Sequence, residues 1–155
     1  MADNNQQPEQ QFALQRIFVK DLSFESPLGA KVFTQQWKPQ IKVDLNTRSN
    51  RFDENGNFEV ILKITVTARI EEEVAFLAEV EQAGLFTVRG IEGEDLRRVL
   101  AIGCPNILFP YARESLDALC GKGSFPPLML QPVNFEALYI QASQQQKQQA
   151  ETGAH

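Results

Sequence analysis

Residues 103–114 read Gly-Cys-Pro-Asn-Ile-Leu-Phe-Pro-Tyr-Ala-Arg-Glu, and this stretch separates a strand-rich first part of the chain from a helical second part. Pro105 suits the first position of a helix, where no N–H is needed, and Gly103 can end the element before it. Apolar or small side chains then recur with the period of one buried helix face, at Leu108, Tyr111, Ala112, Ser115, Leu116 and Leu119. We therefore predict a helix from Pro105 to Gly121, with an irregular first turn because Pro110 removes one main-chain hydrogen bond.

Four segments before this stretch alternate apolar and polar side chains, which is the period of a β-strand. They span residues 16–25, 41–46, 58–70 and 74–81. The sequence Asn55-Gly56 between the second and third segments favours a hairpin turn, because Gly accepts positive φ. The alternation in the first segment predicts Phe18, Leu22 and Phe24 on one face, opposite Ile17, Val19, Asp21, Ser23 and Glu25.

Helices are predicted after the strands. A short helix fits Glu94 to Ile102, and a terminal helix opens at Val133 after the Pro-rich apolar loop 123–132. The fold class that follows is α+β, a four-stranded antiparallel sheet with helices packed on one face. An open sheet has two unpaired edges that invite pairing with another chain, so we expect an oligomer.

The chain has 155 residues, of which 43% are hydrophobic, enough for one core. Both ends are rich in Asn, Gln and charge, with little to bury. We therefore predict one domain over residues 12–143, between disordered tails at residues 1–11 and 144–155.

Charge and cysteine content restrict the compartment and the partners. A net charge of −5 disfavours nucleic acid and anionic lipid, which bind clustered Lys and Arg. No apolar run approaches the roughly 20 residues needed to cross a bilayer, and the polar N-terminus lacks the apolar centre of a signal peptide. Cys104 and Cys120 fit a reducing compartment better than a disulfide scaffold. We predict a soluble cytoplasmic protein without membrane insertion, whose partner is another protein.

Residue types for catalysis and metal binding are scarce. The only His is His155, at the end of the chain, so neither a zinc site nor a Ser–His or Cys–His pair is expected inside the fold. Glycine-rich nucleotide motifs are missing as well. Carboxylates could still act as acid and base, but a solvated surface explains most of them. We predict no cofactor, no metal and no enzymatic activity.

Three further blocks accompany residues 104–114. They are Gln-Arg-Ile-Phe-Val-Lys-Asp-Leu-Ser-Phe-Glu-Ser-Pro at 15–27, Gly-Ile-Glu-Gly at 90–93 and Pro-Val-Asn-Phe at 132–135. Together, and in this order, they resemble SecB, the family of bacterial protein-export chaperones, from about residue 12 to about residue 140. The block at 104–114 is the most specific of the four.

The resemblance implies an ATP-independent holdase in the cytoplasm. Such a protein binds unfolded precursor polypeptides, keeps them competent for translocation and delivers them to the motor SecA. It also implies a SecB-like fold and a homotetramer built as a dimer of dimers. Binding many unfolded sequences calls for exposed apolar grooves and adaptable walls.

The positions that match the SecA contacts of the family are Asp21, Glu25, Leu77 and Glu79. In the predicted strands, all four residues occupy the alternate positions whose side chains point away from the core. Charges on such a face are usually only solvated, but an outward Leu77 among acids favours an interface.

The resemblance also implies a groove for unfolded substrates between the long loop 26–37, the sheet and the terminal helix. Met129 suits a site that must repack around varied ligands, whereas Phe76 and Leu138 could equally belong to the core. The candidate groove residues are Phe33, Trp37, Phe76, Leu128, Met129 and Leu138.

Two other functions stay open at the level of sequence. One is a small-molecule-binding or catalytic α+β domain that uses the same apolar cleft, and the other is a purely structural oligomer. Suppression of the aggregation of unrelated unfolded proteins, near one chain equivalent and without nucleotide, distinguishes a holdase from both.

Overall fold

A computed structural model of the chain describes residues 9–153. Its four strands form one antiparallel sheet in the order β1-β4-β3-β2. Their bounds are Gln11–Glu25 for β1, Gln40–Arg51 for β2, Asn57–Ile70 for β3 and Glu73–Arg89 for β4. Helices follow and cover one face of this sheet, so the fold class predicted from the sequence is confirmed.

The central strands β3 and β4 carry the core. Alternate side chains of both strands point to the helices and are almost fully buried: Phe58, Val60, Leu62, Ile64, Val66, Ala78, Val80, Phe86 and Val88. Strand β4 extends beyond the predicted residues 74–81 because Phe86 and Val88 continue the buried alternation. The helix-side face of β3 and β4 is therefore apolar except at the buried Gln82, whose amide donates to the Phe18 carbonyl (3.1 Å).

Strand β1 differs from its predicted alternation. The register with β4 shifts between Leu14 and Arg16 and again between Val19 and Asp21, where an extra residue bulges out of the strand. Each bulge reverses the parity of all side chains beyond it. The predicted face pairing is therefore wrong for the first half of the segment: Phe18 lies on the face of Asp21, while Val19 lies on the helix side.

The predicted break at Gly103 and Pro105 is wrong, because the helix runs through it. Helix α1 spans Gly93–Arg98, a π-helical segment covers Val99–Gly103, and α2 spans Cys104–Lys122. The Cys104 N–H bonds to the Val99 carbonyl five residues back. A proline after this point clashes with an ordinary α-helical turn, and the wider π-turn relieves that clash. An irregular turn was expected at Pro110, but the chain is α-helical there. The irregular turn is the π-helical segment that precedes Cys104.

Helix α2 packs its predicted face on the sheet. Leu108, Ala112 and Leu116 are fully buried against β3 and β4. At Gly84 on β4 an added Cβ would lie 3.1 Å from a methyl group of Leu108, so that glycine permits the close approach of helix and sheet.

The C-terminus of α2 ends in a Schellman motif. The Phe125 N–H donates to the Cys120 carbonyl (2.9 Å), and the Ser124 N–H donates to the Gly121 carbonyl (3.1 Å). Ser124 occupies the left-handed position of the motif, with φ 64°. This reversal turns the chain back onto the sheet and buries Phe125.

Helix α3 spans Phe135–Thr152 and begins where the Asn134 side chain accepts a hydrogen bond from the Ala137 N–H (2.9 Å). The predicted tail boundary at residue 144 therefore differs from the structure, because Gln, Lys, Ala and Glu form helix readily even when nothing is buried. Likewise Gln11, assigned to the N-terminal tail, pairs with Arg89 in the sheet. Residues 1–8 and 154–155 of the two predicted tails lie outside the described residues.

Candidate functional site: an apolar groove and an acidic face

Five aromatic side chains meet at one end of the sheet and form what we call the aromatic cluster: Phe24, Phe33, Trp37, Phe76 and Phe125. Phe125 is its centre, with ring centroids 5.0 Å from Phe76, 5.1 Å from Trp37 and 5.7 Å from Phe33. Rings at these separations attract one another beyond their area burial. The cluster joins the first strand, the long loop, β4 and the segment after α2.

The long loop after β1 presents two of these rings. A short 3₁₀ helix at Gly29–Thr34 buries Val32 and leaves its neighbour Phe33 57% exposed. Trp37 follows in an irregular segment and is half-buried, stacked on Phe76 and tilted against Phe125. One buried aliphatic side chain therefore anchors a loop whose aromatic side chains remain accessible.

An apolar groove of about 520 Å³ opens next to this cluster. Its floor is the helix side of β2 and β3, one wall is Phe109 of α2, and the other wall is the segment that contains Leu128 and Met129. Met129 is 71% exposed and has φ 50°, a left-handed backbone that only Gly adopts readily. The residues that line the groove are Val43, Leu45, Ile64, Phe109, Leu128, Met129, Leu130, Gln131 and Val133.

The six residues expected in one groove lie in three places. Phe33, Trp37 and Phe76 belong to the aromatic cluster, and Leu128 and Met129 line the groove. Phe76 is only 1% exposed and forms the base beneath the other rings, which places it in the core. Leu138 lies on α3, 43% exposed, outside both the cluster and the groove.

Sequence reasoning missed Phe109, the aromatic residue that lines the groove, and Phe125, the centre of the aromatic cluster. Phe109 falls inside the predicted helix, where it was not separated from ordinary core positions. Phe125 lies two residues after Gly123 and directly before two prolines, a pattern typical of a helix end that folds back. That pattern is a usable signal for Phe125, whereas Phe109 has none in the sequence.

The opposite face of the sheet holds Asp21, Glu25, Leu77 and Glu79, which we call the acidic face. Glu25 is the register partner of Leu77 on β4, and Asp21 pairs with Glu81 further along the same two strands. Their side chains alternate with those of Phe76, Ala78 and Val80, which point to the helices. The structure therefore places all four residues on one surface, opposite the groove.

Only some carboxylates of the acidic face and its surroundings form ion pairs with Lys or Arg. Glu79 accepts a hydrogen bond from the Thr65 hydroxyl (2.9 Å) and lies 3.6 Å from the Lys63 ammonium. Glu81 beside it pairs with Arg48 at 3.0 Å. Among residues 9–153, neither Asp21 nor Glu25 takes part in an ion pair, and both are exposed. The carboxylates without an ion pair therefore lie on the C-terminal part of β1, whereas those of Glu79 and Glu81 on β4 are paired with cations of β3 and β2.

The thiols of Cys104 and Cys120 are weak nucleophiles. Burial raises the pKa of Cys104 to about 12, and burial together with the Asp117 charge raises the pKa of Cys120 to about 11. Thiols with such pKa values carry almost no nucleophilic thiolate near neutral pH.

In the part of the chain that the structure describes, no group of three or more His, Cys, Asp or Glu side chains could hold a metal ion. Within that same part, no helix is long and apolar enough to cross a membrane.

Comparison with known proteins gives one consistent result. A family model described as "Preprotein translocase subunit SecB" matches residues 4–146. "Protein-export protein SecB" of Marinobacter nauticus is 54% identical over 96% of this chain and 90% of its own length. The protein of the same name from Cellvibrio japonicus is 52% identical over 97% of this chain and 93% of its own length.

A solved structure shares the fold. It is a SecB-like chaperone of Mycobacterium tuberculosis, in complex with a ChAD peptide from an antitoxin. It superposes with a TM-score of 0.63 and 20% sequence identity, covering 79% of this chain and 90% of that chain.

Proposed function

The chain belongs to the SecB family of protein-export chaperones, and from that premise we propose that it is an ATP-independent holdase that binds unfolded precursors in the cytoplasm. It would keep these precursors competent for translocation and pass them to the motor SecA. SecB is a family of chaperones rather than a class of enzymes, and no catalytic step enters this proposal.

The observation that carries the proposal is the apolar groove beside the aromatic cluster. Exposed apolar side chains such as Phe33 (57%) and Met129 (71%) are costly for solubility unless they bind something. The groove is open and adjoins β2, an edge strand of the sheet. An extended polypeptide could therefore place alternate side chains in the groove while hydrogen bonding along the edge, which requires no particular sequence.

Handover to SecA is assigned to the acidic face. Asp21 and Glu25 are exposed charges on an edge strand, and Leu77, the register partner of Glu25, is a half-buried apolar contact beside them. A charged rim around an apolar anchor is the arrangement of a protein interface. Because this face lies opposite the groove, a bound precursor would leave it free for the motor.

A homotetramer built as a dimer of dimers is the proposed assembly. Strand β1 is an edge strand, and four apolar side chains on its helix side are 40–46% exposed: Phe12, Leu14, Val19 and Leu22. Tyr111 on α2 is 50% exposed as well. Pairing of β1 with a second copy would satisfy its free main-chain groups, and packing of α2 between dimers would cover the remaining apolar area.

The holdase function is tested by light scattering of an unrelated, chemically denatured protein that is diluted into buffer without nucleotide. We expect suppression of aggregation near one chain equivalent. The double variant Phe33→Ser and Met129→Ser should lose most of this effect, since it removes the most exposed apolar side chain of the aromatic cluster and that of the groove.

The matched control is Phe52→Ser. Phe52 is 68% exposed in the turn between β2 and β3, away from the groove. We expect this variant to suppress aggregation as well as the unaltered chain. An unaltered chain without any effect on aggregation would refute the holdase function.

A further inference from the structure

Asp117 connects helix α2 to the groove wall. It lies one helical turn before the C-terminus of α2 and is half-buried. One carboxylate oxygen, Oδ1, accepts hydrogen bonds from two consecutive main-chain groups, the N–H of Leu128 at 2.9 Å and the N–H of Met129 at 3.3 Å. Hydrogen bonds to a charged acceptor are stronger than those between neutral groups.

The segment that Asp117 holds has an unfavourable backbone. A non-glycine residue with φ 50°, as at Met129, persists only where neighbouring contacts impose that conformation. Leu128 and Leu130, on either side of Met129, are partly buried against the core, but the Met129 side chain is mostly exposed, so its own burial contributes little to holding this backbone conformation. Beside the packing of these two leucines, the paired N–H bonds to Asp117 act directly on the main chain of Leu128 and Met129.

The other end of the same segment is already fixed. Phe125 is buried in the aromatic cluster, and Pro126 and Pro127 restrict the φ angles that follow it. With this end anchored and stiff, the bonds from Asp117 determine where the chain passes over the groove. They thereby set the position of the Met129 side chain relative to Phe109 across the groove.

We propose that Asp117 is a positioning residue for substrate binding, which holds the segment Leu128–Met129 as the wall of the groove and acts on substrate only through that wall. This inference rests on the proposed holdase function. It assigns a role to a polar residue of α2 that does not itself line the groove.

The test measures the dissociation constant of the full chain for a fluorescently labelled, permanently unfolded polypeptide by anisotropy. Asp117→Ala should weaken binding by about tenfold, because two charge-assisted bonds that order the wall are lost. Asp117→Asn keeps the Oδ1 acceptor and should stay within about twofold. Glu114→Ala, which removes an exposed carboxylate one turn earlier on α2, should have no effect.

A second pair of variants separates positioning from general stability. Met129→Gly relieves the left-handed strain and removes the side chain that Asp117 positions, so it should bind weakly and unfold at an equal or higher temperature. Adding Asp117→Ala to Met129→Gly should then cost little further affinity, since residues that act as a unit are not additive. If Asp117→Ala does not fold, Asp117→Ser, whose side chain is too short to reach either N–H, takes its place.

The outcomes are distinct. Equal affinity of the unaltered chain and Asp117→Ala would overturn the positioning role and leave the holdase function standing. A full tenfold loss in the Met129→Gly background would also overturn it, since Asp117 would then act by another route. An unaltered chain that does not bind the unfolded polypeptide would overturn the holdase function and this inference together.

Discussion

The two faces of the sheet are built in different ways, although they share strand β4. Alternate residues of that strand supply both, with Leu77 and Glu79 on the acidic face and Phe76 and Ala78 on the helix side. The acidic face is made by strand register alone. The groove and the aromatic cluster need the first strand, the 3₁₀ loop, β2, β3, α2 and the segment after α2 to be in place at once.

Because of this difference, the two faces should tolerate amino-acid substitutions to different extents. Exposed charges on neighbouring strands contribute little to stability, so the acidic face can change its chemistry while the fold stays intact. The rings of the aromatic cluster are close-packed, so changes there alter folding and binding together. Substitutions on the two faces should therefore give opposite patterns of stability loss and binding loss.

The largest effect on stability is expected from Gly123→Ala at the end of α2. An added Cβ would lie 2.5 Å from the Phe24 ring and 2.9 Å from the Phe125 ring, and both rings are held by their neighbours. We expect the free energy of unfolding to fall by about 1–3 kcal/mol, with weaker substrate binding, as measured by denaturant unfolding and anisotropy.

Gly121→Ala is the control for this substitution, since nothing lies within 4 Å of its added Cβ. A helical Gly to Ala change at an open position should leave stability unchanged or raise it by up to about 1 kcal/mol. Equal losses for the two variants would mean that helix propensity, not the packing of the cluster, determines the result.

A smaller effect on folding and a selective effect on partner binding are expected on the acidic face. Reversal of two charges, Asp21→Lys with Glu79→Lys, should weaken docking to purified SecA at least tenfold, or about 1.4 kcal/mol, while aggregation is still suppressed. The ammonium group introduced by Glu79→Lys would face Lys63, so some loss of stability is expected as well. Reversal of two exposed acids away from this face, Glu54→Lys in the turn between β2 and β3 with Glu151→Lys on α3, is the control. Loss of docking and of aggregation suppression together would indicate a requirement for folding instead of a docking surface.

The smallest effect concerns helix α3 and depends on pH. The Tyr139 hydroxyl donates to Glu94 on α1 at 2.5 Å, and this bond is the main cause that lowers the pKa of Glu94 below its usual 4.5. A lowered pKa means that the bond stabilises the folded state above pH 4.5 and that this contribution is lost as the pH falls below that value. Tyr139→Phe should therefore unfold at a slightly lower temperature than the unaltered chain at about pH 6, and this difference should shrink as the pH falls below 4.5. A difference in thermal midpoint that does not change with pH would exclude the Glu94 carboxylate as its source.

Strand periodicity is local, so it could predict that the four residues of the acidic face share one side of the sheet, whereas their choice as SecA contacts came from the family resemblance. Asp21 and Glu25 follow the second bulge of β1, and Leu77 and Glu79 lie in an uninterrupted part of β4, so simple alternation describes both. The same reasoning failed for Phe18, before the bulge, because an inserted residue leaves no mark in the pattern of apolar side chains. Bulges depend on the pairing of two distant strands, which one strand alone does not reveal.

The groove could be predicted only in part, because it depends on contacts between distant segments. Trp37 stood out as an aromatic residue in a long loop, but its partner Phe125 is set by a Schellman turn that needs Ser124 in a left-handed conformation. Gly103 and Pro105 favoured a helix break on local grounds. Burial of Leu108 and its neighbours against the sheet outweighs that preference, and a π-turn absorbs the proline.

Sedimentation velocity tests the central claim most directly. The purified chain is examined alone, with an unfolded precursor, and with the same precursor after folding. The holdase function requires a tetramer-sized species that takes up the unfolded precursor and ignores the folded one. A chain that sediments without change in the presence of either form would contradict it, and the groove would then be a candidate site for a small molecule.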